Sequence, residues 1–248
     1  MGFERIRVWR HLFGGGNAYG RVEQLETFQG QAELRNMIHE MHEQGLFEKK
    51  LMELQYVAID TESTGFSSRD DVLLSVAAVL YPRPDGVSDE MSFSSFIKLL
   101  DGVEISPVVQ ELTGITPDRL RDAPSLRDVL QKFVVFIEDH VLIAHHAAHD
   151  MAFLNAGLRK LWSVELNSSV IDTGEVARYL HEFKKYPTLD MLLNLYDIEI
   201  ENRHSALGDA FMTAQIWSKQ LSILQKANIH TLGAFWETFM QERQKRIH

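Results

Sequence analysis

Tyr56-Val57-Ala58-Ile59-Asp60-Thr61-Glu62-Ser63-Thr64-Gly65 is the stretch on which the reading of this chain turns. Its apolar, β-favouring start predicts a buried strand that runs into two carboxylates. Because strand side chains alternate between faces, Asp60 and Glu62 at i and i+2 point to the same side. Two like charges held side by side raise each other's pKa and oppose folding, and a divalent cation resolves the conflict. Taken alone, an Asp-x-Glu pair is more simply explained as solvated or as part of a turn. Its meaning therefore rests on the rest of the chain.

Outward from this strand the pattern predicts two more, over Val72 to Tyr81 and about Met91 to Leu100. Pro82-Arg83-Pro84-Asp85-Gly86 between them supplies the residues of a turn, which suggests a meander. Leu126, Val129, Leu130, Phe133, Val134 and Ile137 then recur at helical spacing, predicting a helix from about Pro124 to Glu138 with the proline in its first turn. Val141-Leu142-Ile143-Ala144 reads as a short buried strand, and Met151, Leu154, Leu158 and Leu161 as a helix. Ser169-Val170-Ile171-Asp172 is a further strand followed by another helix. Two helices close the chain, one carrying Leu207, Ala210, Phe211, Ala214 and Trp217, the other Leu232, Phe235, Trp236, Phe239 and Met240. The order β-β-β-α-β-α-β-α predicts an α/β fold, a mixed sheet with helices on its faces.

Residues 54–225 are expected to form the core domain, with 1–53 and 226–248 as helical extensions. The first of these holds Arg5, Arg7, Arg10 and Arg21 around Gly14-Gly15-Gly16, then a helical pattern of Leu34, Met37, Ile38 and Met41. The glycines lack the Gly-Lys-Ser/Thr of a phosphate-cradling loop and read as a joint.

The 248 residues carry 25 Lys+Arg against 35 Asp+Glu, a net charge of −10, and are 45% hydrophobic. That is ample for one or two packed domains and excludes disorder and collagen. An acidic balance argues against non-specific coating of nucleic acid, which depends on Lys and Arg neutralising phosphates, but not against a short substrate gripped through metal ions. Without cysteine, thiolate zinc sites and a Cys nucleophile are excluded, leaving Asp, Glu and 11 histidines as metal ligands. No apolar run is long enough to span a bilayer and the start lacks a signal-peptide pattern, so a soluble, cytoplasmic protein is expected.

Two further segments bring acids to element boundaries. His145-His146-Ala147-Ala148-His149-Asp150 follows a strand and leads into a helix, and His204-Ser205-Ala206-Leu207-Gly208-Asp209 leads into another. Each acid alone reads more simply as a helix-start carboxylate paired with the helix dipole. Five residues of continuous helix would turn His204 and Asp209 about 140° apart, so His204 is expected on the loop and Asp209 in the first turn. Three chain-distant segments thus present carboxylates where a sheet meets its loops, the region in which α/β proteins gather their sites.

Asp60-x-Glu62-x-Thr64-Gly65, Asp150 in a His-x-Ala-x-x-Asp context and His204-x-x-x-x-Asp209 together resemble the three motifs of the DEDDh 3′→5′ exonucleases. The resemblance covers about residues 54–220 and extends to Leu112-Thr113-Gly114-Ile115-Thr116 and Val170-Ile171-Asp172-Thr173. It implies a ribonuclease-H-like fold and hydrolysis at the 3′ end of single-stranded or frayed DNA or RNA, releasing nucleoside 5′-monophosphates with two Mg²⁺ or Mn²⁺ ions. Asp60 would bridge both ions, Glu62 and Asp209 would hold the one nearer the attacking water, and Asp150 would support the site directly or through water. His204 would take that water's proton, a task suited to an imidazole. Thr64, Gly65, Phe66 and His145 would contact the substrate, with core packing an equal alternative for Phe66. Proofreading would require a replication or repair partner, since no polymerase motif is present.

The chain departs from the family's usual Asn and Phe at His146 and His149, and has Ser63 where Thr is common. His145 and His149, at i and i+4, would meet on one helical face if both were helical. Two rival readings stand at this point: a helical HD-type phosphohydrolase using His149-Asp150, and a non-catalytic nucleic-acid-binding or regulatory module on the same fold.

Overall fold

The computed structural model describes residues 46–81, 92–137, 140–166 and 170–247. Five strands, β1 (Tyr56–Ser63), β2 (Leu73–Tyr81), β3 (Ser92–Phe96), β4 (Val141–Ala144) and β5 (Val170–Asp172), form one sheet in the order β3-β2-β1-β4-β5. β1, β2 and β3 pair antiparallel as the expected meander, while β4 and β5 add in parallel to β1. The mixed sheet removes the all-helical HD alternative. The predicted turn at residues 82–86 and the helical pattern of Leu34 to Met41 lie outside the described residues.

Helices follow as α1 (Pro107–Thr113), α2 (Pro117–Leu120), α3 (Leu126–Ile137), α4 (Ala147–Trp162), α5 (Thr173–Leu180), α6 (Leu189–Leu195), α7 (Ala206–Lys226) and α8 (Leu232–Ile247). The short α1, α2 and α6 are additions to the predicted pattern. Each is too brief to show an apolar stripe, and each is set by its start: Ser106 caps α1, a proline opens α1 and α2, and Thr188 caps α6. Pro124 does not enter the first turn of α3. Ser125 and Asp128 exchange backbone and side-chain hydrogen bonds in a reciprocal cap, so the helix opens one residue beyond Ser125.

Period-2 alternation divides β1 between two cores. Val57 and Ile59 pack with Val129, Phe133, Leu154 and Leu158 of α3 and α4. Tyr56 and Ala58 pack on the other face with Val176, Trp217, Leu221 and Phe235 of α5, α7 and α8. α8 is therefore bonded into this core, its start tied to Lys49 and Phe47 by backbone hydrogen bonds. The result is a sheet between two helical layers, with the ends of the parallel strands β1, β4 and β5 gathered at one end. Among the described residues no helix is long and apolar enough to cross a membrane.

Candidate active site

The alternation that buries Tyr56 and Ala58 carries Asp60 and Glu62 onto the same face, toward α7. There the first turn of α7 supplies Asp209. One carboxylate oxygen from each of Asp60, Glu62 and Asp209 lies within 4.8 Å of the others. Asp150 comes from the opposite face, from the first turn of α4, and it is held apart: its Oδ1 accepts a 2.7 Å hydrogen bond from the hydroxyl of Thr61, the residue between the two β1 acids. All four acids converge on the end of β1, and three of them form the tight group.

Burial raises the pKa of each. Asp60 is pushed well up, first by loss of solvent and then by Asp150, Asp209 and Glu62 around it. Glu62 is raised to about 8, again by burial first and by Asp209 next. Asp150, 3% exposed, is raised to about 7 by burial despite the stabilising bond from Thr61. Asp209 is raised by burial, opposed by the guanidinium of Arg203.

The arrangement fits divalent cations. Three hard carboxylate donors converge where their mutual repulsion is strong, which is what such an ion relieves. Asp209, 6% exposed, has its Oδ2 bound by Arg203 while its Oδ1 is buried with no hydrogen-bond partner. A buried carboxylate oxygen left bare is costly unless a ligand completes it.

His204 sits on the loop and Asp209 in the first turn of α7, as their spacing predicts. His204 takes a left-handed backbone (φ 60°), and Ser205 then caps the helix through the Gly208 amide. The histidine series behaves differently from expectation. His146 also has a left-handed backbone (φ 68°) and α4 begins only at Ala147, so His145 and His149 do not share a helical face. A position needing positive φ suits Asn and tolerates His, which accounts for the exchange from the family's usual residue. His145 is bonded to the Thr173 hydroxyl and burial lowers its pKa to about 4, leaving a neutral ring. His149 packs against Phe153 and faces Phe66, its ring centroid 6.2 Å from that of Phe66.

A cavity of about 280 Å³ opens beside the acids, lined by Asp60, His145, Tyr186, Arg203 and Asp209 among others. On another side lies the loop of Thr64, Gly65 and Phe66. Its base is braced by Asp71, whose carboxylate accepts from the Thr64 hydroxyl and the Ser67 amide, each at 3.0 Å. Any side chain at Gly65 would meet that carboxylate at 2.5 Å. Phe66, by contrast, is 96% exposed, so core packing is not its role.

Sequence reasoning passed over Arg203, Asp71 and Tyr186. Arg203 had a signal, a cation adjoining a motif histidine. Tyr186 had none: its hydroxyl donates to Asp172 and accepts from the His146 amide, contacts between segments far apart in the chain.

The sequence model of the exonuclease family (RNase_T) matches residues 57–217. A DNA polymerase III of the PolC type from Bacillus subtilis is 39% identical over 173 residues, 69% of this chain and 12% of that protein. The chain thus spans about an eighth of the length of such relatives. In structure, E. coli Exonuclease I in complex with a dT13 oligonucleotide superposes with a TM-score of 0.60 at 17% identity, over 71% of this chain and 42% of that one. Exonuclease X in complex with 5′ overhanging duplex DNA gives a TM-score of 0.51 at 21% identity, over 71% of this chain and 93% of that one. These likenesses confirm the ribonuclease-H-like fold.

Proposed function

The chain belongs to the exonuclease family, in its DEDDh-type 3′→5′ branch, and from that premise we propose that it removes nucleoside 5′-monophosphates from the 3′ end of single-stranded or frayed nucleic acid. The observation that carries this reading is the convergence of Asp60, Glu62 and Asp209 with a bare, buried oxygen on Asp209. These three, supported by Asp150, would hold two Mg²⁺ or Mn²⁺ ions. Bound there, such ions stabilise charge on the attacking and leaving oxygens of an in-line displacement.

The remaining roles fall to side chains of this protein. His204 takes the proton of the attacking water as its oxygen bonds to phosphorus, and the bond from phosphorus to the 3′ oxygen of the shortened strand breaks. Phe66 stacks on or wedges beside the terminal base, and its exposure supports that use. Thr64 and Gly65 present their backbone to the nucleotide, and neutral His145 borders the cavity from the other side. Residues 54–225 form the catalytic domain, with α8 packed into its second core, in the cytoplasm. Likeness to PolC-type polymerases favours a replication or repair partner, and the DNA held by the two structural neighbours favours DNA as the first substrate to try.

The test is a digestion time course on 5′-labelled single-stranded DNA and RNA of one sequence, in Mg²⁺, Mn²⁺ or EDTA, with Asp60→Ala alongside. A ladder that shortens from the 3′ end only with metal, and is absent in the variant, is expected. Metal-independent cleavage, or none of either strand, would overturn the proposal in favour of a binding module.

A further inference from the structure

Asp209 has two oxygens with opposite surroundings. Oδ1 is buried and bare, while Oδ2 receives the Arg203 guanidinium at 2.5 Å. Arg203 is itself held from behind, its Nε donating to Asp190 Oδ1 in the first turn of α6 at 2.6 Å. A guanidinium presents its donors in a rigid fork, so a partner fixed at one edge fixes the direction of the other. Three segments are thereby tied in a line, α6 to the loop before α7 to the first turn of α7.

We propose that Arg203 is a positioning residue of the metal centre, holding Asp209 so that its carboxylate stays turned toward Asp60 and Glu62. This rests on the metal-binding reading above. Without the arginine, the carboxylate of Asp209 is free to rotate away from two acids that repel it, and the group would have to be gathered again each time an ion binds. Hydrogen-bonded carboxylate ligands of this kind are where partners outside the metal's own shell commonly change affinity 10–100-fold.

Calorimetric titration of the full chain with Mn²⁺, together with the electron-spin resonance of the bound ion, tests this. Arg203→Met should weaken Mn²⁺ binding roughly 10–100-fold and broaden the bound-ion signal, with Arg203→Lys restoring part of the affinity. Asp190→Asn, which frees only the rear of the arginine, should weaken it by less. Equal or tighter binding in Arg203→Met would overturn the proposal and mark Arg203 as a competitor of the ion. If Arg203→Met does not fold, unchanged affinity in Asp190→Asn overturns it instead. Failure of the unsubstituted protein to take up Mn²⁺ would sink the metal reading itself.

Discussion

Asp60 in β1 and Asp172 closing β5 are the same residue type at the same end of one sheet, separated only by β4, yet the protein treats them in opposite ways. Asp172 is saturated by its own chain: Oδ1 accepts from the Gly174 and Glu175 amides and the Tyr186 hydroxyl, and Oδ2 accepts from the Ala147 amide. It thereby caps α5 and ties the start of α4. Asp60 stands instead beside Glu62 and Asp209, where burial and like charge oppose its ionisation. An acid completed internally serves the fold, and an acid gathered with others of like charge is suited to a cation. The distinction is invisible in composition and plain in hydrogen bonds.

Substitution at the two positions should separate them most strongly. Asp172→Ala is expected to lower unfolding free energy by roughly 2–4 kcal/mol, since it strips a helix cap and orphans several donors. Asp60→Asn should raise the melting temperature in EDTA by relieving repulsion, while cutting nuclease activity by about 10³-fold, equivalent to several kcal/mol of transition-state stabilisation. Denaturation in EDTA and a nuclease assay on both variants check this. Melting temperatures that shift in the same direction would break the contrast.

A second consequence is a reversed pH dependence. Glu62 goes from an ordinary 4.5 to about 8 on folding, and Asp60 and Asp209 are raised as well. Between these values the folded state binds more protons than the unfolded one, so the contribution of Glu62 is full below 4.5 and is lost as pH rises through about 8, and the raised Asp60 and Asp209 act in the same direction. Melting temperature in EDTA should therefore fall across that window, and saturating Mn²⁺ should flatten the fall because the ion takes the place of the protons. A rise with pH in EDTA would mean that the acids are already compensated.

The smallest effect on the fold is expected at Phe66, which extends the contrast to an apolar group. Phe66→Ala should leave unfolding free energy within about 0.5 kcal/mol of the parent. Loss of a base-stacking contact should raise KM for single-stranded DNA roughly tenfold. Steady-state kinetics beside a denaturation curve would read both.

Much of this organisation is legible in the residues. The alternation in β1 places Asp60 and Glu62 together, and the spacing from His204 to Asp209 sets one on a loop and the other in a first turn, because both follow from short-range geometry. What is not legible depends on contacts across the chain. The bonds of Asp172 to Ala147 and Tyr186, the separation of Asp150 by Thr61, and the tie from Asp190 through Arg203 to Asp209 each join elements whose approach only the packed sheet decides. The histidines near Asp150 fall between these cases. Their spacing suggested a shared helical face, and one left-handed residue, His146, was enough to prevent it.

The pairing of β1 with β2 slips by one residue between Glu62 and Ser63, from Glu62↔Ser75 to Ser63↔Leu73. Everything on the near side of that slip, from Tyr56↔Tyr81 to Glu62↔Ser75, is locked in register by two buried faces. The segment beyond it, from Thr64 to Val72, closes on its own bonds to Asp71 and between Thr64 and Val72. The register that holds Asp60 and Glu62 ends before that loop begins. The fold thus separates the acids, fixed by the register of the sheet, from a loop that closes on its own bonds.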